Sequence, residues 1–126
     1  IANNMIVESA YSIYAGRKVC STILSNKKQL PTAIICGNDI LAIGALAECQ
    51  SRGLNVPQDI SVVGFDNSEF AAHANPPLTT INVPAEEMGE AAASYILGRL
   101  SDKQVLEHSL VDVELILRRS SAPPKA

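Results

Sequence analysis

The sequence predicts an α/β domain built on a parallel sheet. Two short apolar runs, "AIIC" (33–36) and "ISVVGF" (60–65), are too short for ordinary helices and favour strands. Between them, residues 39–53 carry a wide apolar stripe at helical spacing, with Asp39 suited to cap the start and Gly53 suited to the end. A strand, a helix and a strand with short connections predict a right-handed βαβ crossover and parallel strands.

The N-terminal segment adds one candidate strand and one helix. "MIVES" (5–9) is short and β-branched, which favours a strand. "YSIYAGRKVCSTILSNKK" (11–28) has apolar residues near helical spacing, and Ser12 or Ser9 is suited to cap it.

The C-terminal half continues the alternation of elements. Prolines at 76–77 close a loop or short helical turn, and "TTINV" (79–83) is a candidate strand. Residues 84–102 are predicted to form a helix, with acidic residues near its positive end. The buried stripe expected on this helix consists of Met88, Ala91, Ala92, Tyr95, Ile96 and Leu100. One or two strands are expected in 108–120, and residues 120–126 are expected to be a disordered tail.

Composition excludes several classes of function. Of the 126 residues, 47% are apolar, which predicts a packed core. Aromatic residues make up 4% and Trp is absent, which argues against a base-stacking surface. The net charge of −3 offers no basic footprint for DNA, and the basic pairs Lys27-Lys28 and Arg118-Arg119 are interpreted as solvated side chains.

The cysteines favour a reduced, cytoplasmic protein. They are odd in number and show no CxxC spacing: Cys20, Cys36 and Cys49. His73 and His108 are not spaced with them as zinc ligands, so no metal is expected. The sequence shows no run of about 18 apolar residues and therefore no predicted membrane span. Since the chain has no initiator Met, we expect Ile1 to lie inside a longer natural chain.

Polar residues follow both central strands. Asn38 and Asp39 come after the first strand, and Asp66 and Asn67 after the second. Because the carboxyl ends of parallel strands share one edge, where ligands bind in open α/β folds, these four side chains should gather there. Carboxylate and amide groups suit a neutral polyhydroxylated ligand such as a sugar or nucleoside, whereas a phosphate favours Arg, Lys or bare N–H groups.

Structural roles compete with ligand binding at each position. Asp39 is equally suited to be a helix cap, and Asn38 and Asn67 to be turn residues. An Asx turn is the alternative for Asp66. His73 is expected to be a partly exposed loop residue. No GxSxG, GxGxxG or Walker motif supports catalysis, and no cofactor is expected.

Four segments resemble the lactose-repressor/galactose-repressor family of bacterial transcription regulators. They are "PTAIICGNDILAIGAL", "GLNVPQDISVVGFDN", "NPPLTTINVPAEEMGEAA" and "LILRRSS". Together the segments lie between Tyr11 and Ser121, and their order and spacing are specific. The resemblance implies an incomplete lobe, three-layered and Rossmann-like, of the two-lobed fold of periplasmic sugar-binding proteins of type I.

The family pattern also implies roles for individual residues. Asn38 and Asp66 match positions that hydrogen-bond the effector, the small molecule that controls the regulator. Tyr11 matches a position where an aromatic ring stacks on that effector, with ordinary packing as the alternative. The helix at 40–52 resembles one used in dimerisation, with apolar contacts from Ala42, Ile43 and Leu46 or, alternatively, internal packing only.

The resemblance divides the chain into parts of two lobes. Residues 1–78 would form most of the C-terminal lobe, 79–110 a strand and helix of the N-terminal lobe, and 111–119 one or two return strands. A DNA-reading helix-turn-helix and the first strand–helix unit of the C-terminal lobe are absent from the chain, and Ala85 stands where some members place an aromatic contact. The isolated chain is therefore expected not to bind operator DNA.

The function implied is effector sensing in a homodimeric, cytoplasmic transcription regulator, usually a repressor. The alternative is a periplasmic sugar-binding component of a transporter, which shares the fold. A flavodoxin-type or Rossmann-type enzyme is disfavoured, because no phosphate-binding loop is present. The helix at 85–100, lacking its own sheet, is expected to pack against another copy.

Overall fold

The computed structural model describes residues 5–25, 30–101 and 110–125. It confirms an α/β fold with a four-stranded sheet. The elements are α1 (Ile13–Leu24), β1 (Ala33–Ile35), α2 (Asp39–Ser51), β2 (Ser61–Asp66), α3 (Glu69–His73), β3 (Thr79–Asn82), α4 (Ala85–Leu100) and β4 (Glu114–Ile116). The strand predicted at 5–9 is wrong, because these residues pair with none of the four described strands and their large apolar side chains are exposed.

The sheet has the order β1-β2-β3-β4. β1 pairs parallel with β2, and β2 pairs parallel with β3, which confirms the predicted parallel arrangement. β4 returns antiparallel to β3, with Ile116 opposite Thr80. The three parallel strands therefore deliver their carboxyl ends to one edge of the sheet.

The core lies between the sheet and two helices. α2 packs on β2, and α1 packs on α2. The buried apolar residues of this cluster are Cys20, Leu24, Ala42, Ala45, Leu46, Cys49, Ile60, Val62, Ala71 and Leu78. Among the described residues, none covers the opposite face of the sheet: Ile35 is 76% exposed and Phe65 is 39% exposed. The predicted burial of both faces of β1 is therefore wrong.

α4 forms where it was predicted, but its environment differs from the prediction. None of its residues is buried, and among the described elements none packs extensively against it. The expected buried stripe is wrong for this chain, because no described surface covers it; Leu100 is 78% exposed. None of the helices within the described ranges is long and apolar enough to cross a membrane.

The C-terminal tail is attached to the sheet. Ser120 is fully buried, and its hydroxyl donates a hydrogen bond to the carbonyl oxygen of Val62 at 2.6 Å. The backbone of Ala122 exchanges two hydrogen bonds with the hydroxyl of Ser61, each 3.1 Å long. Lys125 pairs with Asp59 at 2.6 Å. The expectation of a disordered tail is therefore wrong for residues 120–125, since side-chain and backbone groups of the tail bond to β2 and to Asp59.

Candidate functional site

Polar side chains meet where the parallel strands end. The chain leaves β1 through Gly37 and Asn38, while β2 ends in Asp66 and continues with Asn67. The register of β2 and β3 sets Asn82 beside Asp66. We call this edge, formed by Asn38, Asp66, Asn67 and Asn82, the polar rim. Of the four residues expected here, Asn38, Asp66 and Asn67 follow the strand ends at this edge, whereas Asp39 is buried.

The start of α2 differs from the prediction. Asn38, rather than Asp39, is the N-cap residue: its Oδ1 accepts a hydrogen bond from the backbone N–H of Leu41 at 2.9 Å. Asp39 is only 1% exposed. Its Oδ1 accepts a hydrogen bond from the hydroxyl of Thr80 and its Oδ2 one from the backbone N–H of Ser68, both at 2.6 Å. The capping role predicted for Asp39 is wrong, because this carboxylate links α2 to β3 and to the segment after β2.

Asp66 offers an unpaired carboxylate at the polar rim. Within the described ranges no group donates a hydrogen bond to it, and its residue is exposed. Partial burial and, secondly, the negative charge of Asp39 raise the pKa of Asp66 above its ordinary value. Its φ is +102°, an uncommon conformation for a residue other than glycine. The carboxylate is thus available to accept hydrogen bonds from a ligand.

Asn67, by contrast, has both ends of its side-chain amide hydrogen-bonded within the protein. Its Oδ1 accepts a hydrogen bond from Nη2 of Arg118 at 2.8 Å, and its Nδ2 donates to Oδ1 of Asn82 at 2.9 Å. Its φ of +52° is that of a left-handed turn, in keeping with its interpretation as a turn residue. We therefore assign Asn67 to the framework of the polar rim rather than to ligand contact.

Tyr11 lies beside the polar rim. A Cβ atom on Gly37 would be 3.5 Å from both Cε1 and the hydroxyl oxygen of Tyr11, so the ring passes over the residue that precedes Asn38. Tyr11 is 70% exposed and is not a core residue. Its ring therefore presents a free aromatic surface next to the polar side chains.

Three residues of the site escaped the sequence analysis. Arg118 is partly buried, and its Nη1 donates to the carbonyl oxygen of Leu78 at 2.8 Å, so its interpretation as a solvated side chain is wrong. Thr80 and Asn82 sat in a predicted strand without a predicted role. No local pattern marks these residues, because their partners lie far away along the chain.

An apolar groove of about 290 Å³ lies along α1, α2 and α3. Its lining consists of Ile13, Ile40, Ile43, Phe70, His73 and Ala74. His73 is exposed here, in α3 rather than in a loop.

Of the predicted dimer contacts, Ala42 and Leu46 are contradicted: they are 0% and 5% exposed and pack in the chain's own core. Only Ile43 reaches the groove.

The three cysteines are free thiols. The sulfur atoms of Cys20 and Cys49 are 4.0 Å apart between α1 and α2. Burial raises the pKa of Cys36 to about 12, which makes this thiol a poor nucleophile at neutral pH.

The fold is that of an α/β lobe with polar side chains at the carboxyl ends of its parallel strands. A sequence model of the periplasmic binding protein-like domain matches residues 3–121, and the chain belongs to this family. The HTH-type transcriptional repressor PurR of Pectobacterium atrosepticum is 42% identical over 97% of the chain. The chain spans 36% of the length of that relative, about a third.

Solved structures give the same affiliation. The dimeric lac repressor with an 11-residue C-terminal deletion superposes with a TM-score of 0.87 at 32% identity, over 94% of this chain and 43% of that one. A complex of the transcriptional regulator CelR with cellobiose superposes with a TM-score of 0.86 at 27% identity, over 96% of this chain and 37% of that one. The resemblance to lactose-repressor-type regulators is confirmed.

Proposed function

We propose that this chain is the effector-sensing part of a bacterial transcriptional repressor that acts in the cytoplasm. The observation that carries the proposal is the exposed carboxylate of Asp66, which has no described hydrogen-bond partner and lies at the strand-end edge where Asn38 follows β1. The similarity to two repressors, PurR and the lac repressor, supports it.

The proposed effector is a neutral, polyhydroxylated molecule, such as a sugar or a nucleoside. Asp66 accepts hydrogen bonds from its hydroxyl groups, and the Nδ2 group of Asn38 donates one, since only Oδ1 is occupied by the helix cap. The exposed ring of Tyr11 stacks on the apolar face of a sugar or base. Cellobiose, the sugar in the CelR complex, belongs to this chemical class.

A phosphorylated effector fits the polar rim less well. Asp66 would repel it, and the nearby guanidinium of Arg118 already donates to Leu78 and Asn67. Binding rather than catalysis is proposed, because the site consists of hydrogen-bonding and stacking groups without an activated nucleophile.

Sensing requires a difference in effector affinity between two conformations of the whole regulator. We propose that the effector closes a cleft between this lobe and a second one, and that closure repositions DNA-binding segments outside this chain. The chain itself has a net charge of −3, which does not favour contact with DNA. A transporter component is not proposed, since the named relatives are regulators.

Dimerisation is proposed at the apolar groove, with Ile43 as one contact. The groove is lined by apolar side chains of three helices, and a relative of the same fold is a dimer. Ile43→Lys is expected to shift the native gene product from dimer to monomer in light scattering. Gln50→Lys is the control, because Gln50 is an exposed polar residue near the end of α2 and does not line the groove. Equal masses for both variants and wild type would contradict this surface.

Calorimetry on the native gene product that carries this chain tests the effector site. Cellobiose and guanosine serve as probes of the two ligand classes. Asp66→Ala is expected to abolish binding of the active probe, since it removes the only free carboxylate among the rim residues. Asp59→Asn is the control: Asp59 lies before the start of β2, whereas the proposed site lies at the end of that strand.

Two results would overturn the proposal. Unchanged affinity in Asp66→Ala would remove Asp66 from the site. A native gene that encodes an export signal instead of a DNA-binding segment would exclude gene regulation.

A further inference from the structure

The end of β2 adopts an unusual backbone conformation. Asp66 and Asn67 have φ values of +102° and +52°, two successive non-glycine residues in the left-handed half of conformational space. Such conformations are uncommon for residues other than glycine and persist only where surrounding contacts hold them. The contacts that hold this pair therefore determine where the Asp66 carboxylate is presented.

A buried carboxylate lies directly behind this segment. Asp39 accepts a hydrogen bond from the backbone N–H of Ser68 at 2.6 Å, immediately after the left-handed pair. Its other oxygen accepts the hydroxyl hydrogen of Thr80 at 2.6 Å, and the same hydroxyl oxygen accepts the N–H of Asn67 at 3.3 Å. Asp39 thus holds the segment once directly and once through Thr80.

Gly64 supplies the space for this carboxylate. A Cβ atom at position 64 would collide with Oδ1 of Asp39 and would lie 2.8 Å from Cδ2 of Leu78. Asp39 is also the first residue of α2, where the helix dipole favours a negative charge. The location of the carboxylate is therefore set by β2 and α2 together.

The opposite side of the turn is held by the side chain of Asn67. Arg118 and Asn82 occupy its oxygen and its nitrogen at 2.8 and 2.9 Å. With Asn67 fixed from both sides, Asp66 is the residue of the pair whose side chain is left without a described partner.

We infer that Asp39 is a positioning residue of the effector site: its buried carboxylate holds the left-handed turn that presents Asp66 to the ligand. This inference rests on the proposed function for its consequence in binding, although the contact itself exists without a ligand. Asp39 touches no effector. It acts through the backbone N–H of Ser68 and through Thr80, whose hydroxyl oxygen holds the backbone N–H of Asn67.

Asp39→Asn tests this role with a side chain of the same size. The new amide has one acceptor oxygen instead of two. Its NH₂ group therefore faces either the N–H of Ser68 or the hydroxyl of Thr80, and one of the two hydrogen bonds is lost. Affinity for the probe that binds the native gene product is expected to fall about tenfold or more, as for loss of a hydrogen bond to a charged group. Asp59→Asn, which removes another hydrogen-bonded carboxylate, is expected to keep wild-type affinity.

Two measurements on the unliganded protein separate positioning from general destabilisation. The ¹³C titration of Asp66 is expected to move to lower pH in Asp39→Asn, because a neighbouring negative charge is lost. Amide exchange at Ser68 is expected to accelerate, while exchange in β1 stays unchanged. If Asp39→Asn does not fold, Thr80→Val provides the same exchange readout at Asn67.

The outcomes distinguish this inference from the proposed function. An unchanged Asp66 titration with unchanged Ser68 exchange would overturn the role of Asp39, whatever ligand is bound. If wild type binds neither probe but both readouts change as expected, the positioning role stands and the effector class is wrong. Wild-type probe affinity in a folded Asp39→Asn variant would overturn its role in binding.

Discussion

Gly16 and Gly44 face each other where α1 packs against α2: a Cβ atom on Gly44 would lie 3.0 Å from the Cα of Gly16. The same atom would collide with the carbonyl oxygen of Ile13, and one on Gly16 with that of Leu41. The two helices therefore approach at backbone distance. This approach also matters for the site, since Tyr11 lies just before α1 and reaches Gly37 only if α1 keeps its place.

The close approach makes Gly44→Ala destabilising. The added methyl group must separate α1 from α2, at a cost of about 1–3 kcal/mol in the free energy of unfolding. Urea denaturation measures the change. Gly89→Ala is the matched control: Gly89 lies in α4, a Cβ there meets nothing within 4 Å, and stability is expected to rise by about 0.5–1 kcal/mol. Equal effects of the two variants would contradict the packing.

Ser120→Ala should destabilise the protein from within the tail. The buried hydroxyl accepts a hydrogen bond from the N–H of Thr79 at 2.8 Å and donates to the carbonyl oxygen of Val62 at 2.6 Å. Its removal leaves both groups unsatisfied in the core and costs about 1–3 kcal/mol in unfolding free energy. Ser51→Ala, at an exposed hydroxyl, is expected to stay within about 0.5 kcal/mol. A neutral Ser120→Ala would contradict attachment of the tail.

Asp66→Asn is expected to raise the melting temperature of the unliganded protein. Burial and Asp39 raise the pKa of Asp66, so its ionised form is disfavoured in the folded state and lowers stability at neutral pH. The advantage of the variant should vanish as pH falls through the pKa of Asp66, because the wild-type side chain is then protonated. Thermal melts between pH 7 and pH 3 check this. A lower melting temperature at pH 7 would show that the carboxylate stabilises the fold.

Asp59 should contribute stability that depends on pH in the opposite sense. Lys125, then the backbone and side chain of Asn55, lower the pKa of Asp59 from 3.8 to about 2. Its contribution to stability is present above the unfolded-state pKa of 3.8, and it is lost as pH falls from 3.8 through the folded-state pKa of about 2. The stability difference between wild type and Asp59→Asn should therefore shrink across this window. A pH-independent difference would contradict the pairing.

The fold followed from local patterns to a large extent. Short apolar runs and helical spacing predicted β1, β2, α2 and α4 near their observed bounds. The environment of α4 could not be predicted in this way. An apolar stripe favours burial of one helix face, but it does not identify the element that covers that face. The 5–9 strand failed for a related reason: a β-branched segment becomes a strand only where another strand pairs with it.

The polar rim was only partly predictable. Parallel topology places Asn38 and Asp66 at one edge, so their grouping could be derived from the sequence. The partners of Asp39 could not, since Thr80 lies 41 residues further along the chain. Arg118, which looked like a solvated charge, is 51 residues from Asn67.

The sequence by itself determined the order of the elements and the strand ends that carry polar side chains, because periodicity and caps act over a few neighbouring residues. Only the tertiary structure decided which of two adjacent residues, Asn38 or Asp39, is buried and which is presented. That choice depends on donors brought together from distant segments: a carboxylate is buried only where such donors satisfy both of its oxygens, as Ser68 and Thr80 do for Asp39.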